Sequence, residues 1–108
     1  MKKTLLLVAA VALFAVAANV SAQGIFFLQV VKLGSGSGRV DSNPAGIACG
    51  RQCWGYFNAS STVWLKATAL GSSTFSNWSG ACSYTSGTLC RVANGAPSSS
   101  VTVYATFN

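Results

Sequence analysis

Asp41 is the only carboxylate side chain in this 108-residue sequence, which contains no histidine and no glutamate. General acid–base catalysis draws on histidine or a carboxylate, and triads and paired-carboxylate mechanisms need at least two such groups. Asp41 has no second group to work with. The many serines therefore lack a base to activate them. A serine–lysine arrangement would rest on Lys32 or Lys66, which sit in strand-like runs without any motif. These residue types exclude the familiar hydrolytic chemistries, and neither enzymatic activity nor a cofactor is expected.

The other side chains with chemistry of their own are Cys49, Cys53, Cys82 and Cys90. Four thiolates suit a zinc ion, but Cys49-x-x-x-Cys53 and the Cys82-to-Cys90 spacing do not match the short Cys-x-x-Cys knuckles of such sites. No Cys-x-x-Cys redox motif is present either. The compartment separates metal from disulfide. Lys2 and Lys3 precede an uncharged apolar run from Leu5 to Ala18, and Val20-Ser21-Ala22 offers a small-residue cleavage site. Residues 1–22 are therefore expected to be a helical signal peptide removed near Ala22. The run falls short of the roughly 20 residues that a membrane span needs. No other stretch is apolar enough to cross, and position 23 is Gln rather than a lipid-bearing Cys. The mature chain is expected to be secreted or periplasmic, where an even cysteine count reads as two disulfides and no metal site. Three pairings are formally possible. Joining neighbours closes loops of about 5 and 9 residues, worth roughly 2 and 2.5 kcal/mol in a chain-entropy model, whereas Cys49–Cys82 would stabilise more, so energy leaves the connectivity open.

Cleavage leaves residues 23–108, enough for one small domain. A chain of that size buries only about 60–65% of its unfolded surface, so covalent staples are expected. The formal charge of +6 includes Lys2 and Lys3; the rest is +4, from Lys32, Arg39, Arg51, Lys66 and Arg91 against Asp41. This balance favours anionic partners, but the cations are spread singly, without the cluster of a specific nucleic-acid binder.

The elements that must position these residues are strands. Apolar β-branched and aromatic runs alternate with Gly, Ser, Asn and Pro clusters, and no stretch keeps a helical period. The predicted strands are Ile25–Leu33, Gly38–Ser42, Cys53–Phe57, Thr62–Leu70, Phe75–Trp78, Leu89–Val92 and Ser99–Phe107. Val63, Leu65, Ala67 and Ala69 share one face, opposite Trp64 and Lys66. Val101, Val103, Ala105 and Phe107 share another, opposite Tyr104. Gly34-Ser35-Gly36-Ser37-Gly38 reads as a hairpin loop, because strand patterns flank it and no helix follows to receive a phosphate.

Several positions together resemble a known repeat. Gly34-x-Gly36-x-Gly38-x-Val40 is followed by Pro44-Ala45-Gly46-Ile47-x-Cys49-Gly50-x-x-Cys53 and then by Val63-x-Leu65-x-Ala67. After these come Phe75-x-x-Trp78-Ser79-Gly80-Ala81-Cys82, Cys90 and Val103-x-Ala105-x-Phe107. Order and spacing across nearly the whole mature chain are similar to one unit of the divergent bacterial InlB B-repeat. The resemblance implies a small β-grasp-like domain, all-β to α+β, with antiparallel and mixed sheet and no enzymatic activity. It also implies a module of bacterial surface and secreted proteins, here as a single unit behind its own signal. Proximity and the resemblance, in which each pair belongs to one loop, favour Cys49–Cys53 and Cys82–Cys90.

The same resemblance sets the aromatic residues apart. Phe57, Phe75, Trp78 and Phe107 fall where the repeat carries aromatic core residues, whereas Trp54, Tyr56, Trp64 and Tyr104 fall where it has small or polar ones. If Cys53–Phe57 and Thr62–Leu70 form an antiparallel hairpin with Phe57 and Val63 both inward, Tyr56 faces Trp64 and Trp54 faces Lys66. Trp54, Tyr56, Trp64, Lys66 and Tyr104 would then make an outward aromatic and basic face. The alternative is that these rings pack beneath a strand or loop as a second small core. The expected function is a binding or adhesion module at or outside the cell envelope, for a glycan, an envelope component or a surface protein. The competing expectation is a structural or self-associating module with no small ligand.

Overall fold

The computed structural model of the protein describes residues 24–93 and 95–108; the expected signal peptide, residues 1–22, lies outside the described residues. Nine strands follow in order: β1 Ile25–Leu33, β2 Gly38–Asn43, β3 Ala48–Cys49, β4 Trp54–Asn58, β5 Val63–Ala69, β6 Phe75–Gly80, β7 Tyr84–Ser86, β8 Leu89–Val92 and β9 Ser100–Phe107. They build a four-stranded sheet, β4-β1-β9-β6, and a five-stranded sheet, β3-β2-β5-β8-β7. The four-stranded sheet is mixed because β1 and β9 run parallel, while the five-stranded sheet is antiparallel throughout.

The strands form where the two-residue alternation lets each sheet bury one face. Phe26, Leu28 and Val30 of β1 meet Val103, Ala105 and Phe107 of β9 and Phe57 of β4 on one side of the core. Val40 of β2, Val63, Leu65 and Ala67 of β5 and Val92 of β8 come from the other sheet, and all belong to one buried cluster. A β-grasp lays a helix against its sheet. Among the described residues no helix forms, and the elements make an all-β arrangement of two packed sheets, mixed and antiparallel, without the helix that would complete a β-grasp.

Only β2–β3 and β7–β8 connect neighbours within one sheet; every other connection passes from one sheet to the other. This corrects two expectations. Gly34–Gly38 joins β1 to β2 in the opposite sheet, so it is an arch between layers rather than a hairpin loop. Its glycines are required there: Gly34 has φ +90°, and side chains at Gly34 or Gly38 would collide with the Phe107 carbonyl or ring. Likewise β4 does not pair with β5. It pairs with β1, placing Phe27 opposite Tyr56 and Gln29 opposite Trp54, while β5 pairs with β2 and β8.

Both disulfides form between sequence neighbours, Cys49–Cys53 and Cys82–Cys90. Each ties the layers. Cys49 in β3 and Cys90 in β8 belong to the five-stranded sheet and are fully buried, whereas Cys53 leads into β4 and Cys82 leaves β6, both in the four-stranded sheet. Two disulfides fit an oxidising compartment. Among the described residues no helix is long and apolar enough to cross a membrane.

Candidate functional site

The separation of β4 from β5 divides the five expected face residues between two outer surfaces. Trp54, Tyr56 and Tyr104 lie on the outer face of the four-stranded sheet, and Trp64 and Lys66 on that of the five-stranded sheet. The expected Tyr56–Trp64 and Trp54–Lys66 neighbours do not exist, because the core lies between them.

On the four-stranded sheet the outward residues of β1 and β4 bring three rings together. Phe27 stands between its neighbours, 5.3 Å from Tyr56 and 5.9 Å from Trp54 by ring centroids. Trp54 and Tyr56 are 6.0 Å apart, nearly edge to face. Such separations are those of favourable aromatic pairs. Trp54 is 47% and Tyr56 60% exposed, so these two rings are not a second core. Beside them an open groove of about 460 Å³ is lined by Ile25, Phe26, Phe27, Tyr56 and the consecutive Ser98, Ser99 and Ser100. No charged side chain lines it. Tyr104 is half-buried two strands away, next to Val31 and Ser79, with its ring close over Gly80.

β4 is an edge strand, and an exposed edge invites another chain to pair. Two of its carbonyls are taken locally. Gln52 Nε2 donates to the Trp54 carbonyl, and Ser61 donates through both its backbone N–H and its hydroxyl to the Asn58 carbonyl. Both ends of the edge are capped in this way, and the ring face stays open.

On the five-stranded sheet, Trp64 pairs across β5 and β8 with Arg91, which pairs across β7 with Tyr84. The Arg91 guanidinium lies 5.9 Å from the Trp64 ring centre and 5.4 Å from that of Tyr84, so this cation, rather than Lys66, supplies the cation–π contact. Arg39 donates twice to Asp41 at 2.8 and 2.9 Å. These bonds first, and then the attraction of opposite charges, raise the Arg39 pKa. Asp41 is thereby committed to an ion pair. Lys32 donates to the Gly38 carbonyl at 3.1 Å.

Phe27, Tyr84 and Arg91 were not among the expected site residues. Gln29 in β1 and the Cys90-Arg91-Val92 alternation carry the signal for Phe27 and Arg91, since a polar residue marks the outward parity of its strand. Tyr84 sits on a short exposed strand that no apolar pattern announces. Among the described residues no group of His, Cys, Asp or Glu is placed to hold a metal ion. No family model, curated protein or solved structure matches the chain.

Proposed function

We propose that the protein is an exported, non-enzymatic binding module of the cell envelope or its surroundings, secreted or periplasmic after cleavage near Ala22, and that the Phe27–Trp54–Tyr56 cluster receives an uncharged glycan. The observation that carries this reading is the half-open trio of touching rings on the paired strands β1 and β4. Exposed tryptophan and tyrosine faces accept the C–H faces of sugar rings, and both side chains contribute large contact area at low entropic cost. The adjoining groove is lined by three serines and no charged side chain, which suits a neutral polyhydroxylated partner.

Binding to an array of neutral glycans tests the proposal with wild-type protein, Trp54→Ala and Tyr56→Ala. The expected result is a glycan bound by the wild type and lost in both variants at unchanged melting temperature. Self-association through the ring face is the competing reading. It predicts instead a wild-type dimer on sizing chromatography that Trp54→Ala returns to monomer, with no glycan bound.

A further inference from the structure

The outer face of the five-stranded sheet carries its charges in a line. Register sets Arg91 beside Trp64, Lys66 beside Leu89 and Asp41, and Arg39 beside Thr68. Arg91, Lys66 and Arg39 are therefore diagonal neighbours on β8, β5 and β2, in steps of about 7–8 Å. Asp41, the one carboxylate on this face, is held by Arg39. Three cations against one anion leave the face positive. Its other outward side chains include the exposed hydroxyls of Thr68 and Ser86 and the half-exposed Tyr84.

We propose that this face is a second binding surface, independent of the Phe27–Trp54–Tyr56 cluster, and that it takes a linear acidic polysaccharide laid along the Arg91–Lys66–Arg39 diagonal. Charge complementarity selects a polyanion. A carboxylate-bearing sugar chain fits better than the other polyanions. Arg91 lies over both Trp64 and Tyr84, whose rings also meet edge to face at 6.4 Å, and this takes up ring faces that single-stranded nucleic acid would need for its bases. Leu89 and, at the Arg39 end, Leu70 are the large aliphatic side chains exposed near these cations, too little apolar surface to enter a lipid layer. Flanking hydroxyls instead match the hydrogen-bonding groups of a sugar chain.

Titration of the folded protein with polygalacturonate at low and high salt tests the proposal, with a single-stranded oligonucleotide and phosphatidylglycerol vesicles as comparison probes. Arg91 is packed against both rings, so the variants are placed at the exposed charges. Lys66→Glu is expected to weaken polygalacturonate binding about fivefold, the scale of an exposed ion pair lost and a like charge gained. Asp41→Asn, which frees Arg39, is expected to tighten it, and added salt to weaken it in every variant. Absence of wild-type binding at low salt overturns the proposal. So does affinity indifferent to Lys66→Glu, or tighter binding to the oligonucleotide or the vesicles than to polygalacturonate.

Discussion

Arg91 stands directly opposite Trp64 across β8 and β5, with its guanidinium carbon 5.9 Å from the centre of the Trp64 ring. The guanidinium is also 5.4 Å from the Tyr84 ring centre, so its charge faces both rings. A double-mutant cycle between Trp64→Ala and Arg91→Ala, read by urea unfolding, is expected to give a coupling of about 0.5–1 kcal/mol. The corresponding cycle between Trp54 and Lys66 is expected to give zero within about 0.3–0.5 kcal/mol, because the core separates them and they share no partner.

The disulfides span the two layers although each closes a short loop. Removing a pair as a double alanine variant, Cys49→Ala with Cys53→Ala or Cys82→Ala with Cys90→Ala, is expected to cost about 2 and 2.5 kcal/mol respectively, from loop closure in the unfolded chain. Alanine is the appropriate replacement, since Cys49 and Cys90 are fully buried and a serine hydroxyl would need a partner there. Thermal melts with and without a reducing agent read the effect in the wild type, and for a domain of this size each kcal/mol moves Tm by about 4–8 °C.

Glycines that look alike in sequence are expected to respond differently. Gly38→Ala places a methyl group against the Phe107 ring and is expected to destabilise by about 1–3 kcal/mol, the cost of overpacking. At Gly50 nothing lies within 4 Å of the added carbon and φ is not positive. Gly50→Ala is expected to be neutral or stabilising by about 0.4–1 kcal/mol, through the unfolded chain. Denaturant unfolding of the two variants checks the contrast.

The strands were largely legible because alternation is a local property. The inward faces of β5 and β9 follow from Val63, Leu65 and Ala67 and from Val103, Ala105 and Phe107, and these residues are buried. The missing strands, β3 and β7, are two and three residues long, and β7 is exposed throughout, so no pattern marks them. Partnership between strands was not legible. A hairpin in one sheet and an arch between two sheets put Phe57 and Val63 on the same core, so parity cannot distinguish them. The candidate face divided for that reason: Trp54 and Tyr56 are exposed, but beside Phe27 rather than Trp64 and Lys66. Their true neighbour, Phe27, lay in a strand whose apolar residues fall on both faces, leaving Gln29 as its one outward marker.

Tryptophan emission tests the central claim most directly, because Trp54 is exposed in the ring cluster, Trp64 is half-buried on the opposite sheet and Trp78 is in the core. The wild type, Trp54→Phe and Trp64→Phe are titrated with short neutral β-1,4-linked glucose and N-acetylglucosamine oligosaccharides. A saturable change in emission in the wild type and in Trp64→Phe that disappears in Trp54→Phe is the result a Phe27–Trp54–Tyr56 sugar platform predicts. An emission change that persists in Trp54→Phe, or none in the wild type with either oligosaccharide, would contradict it.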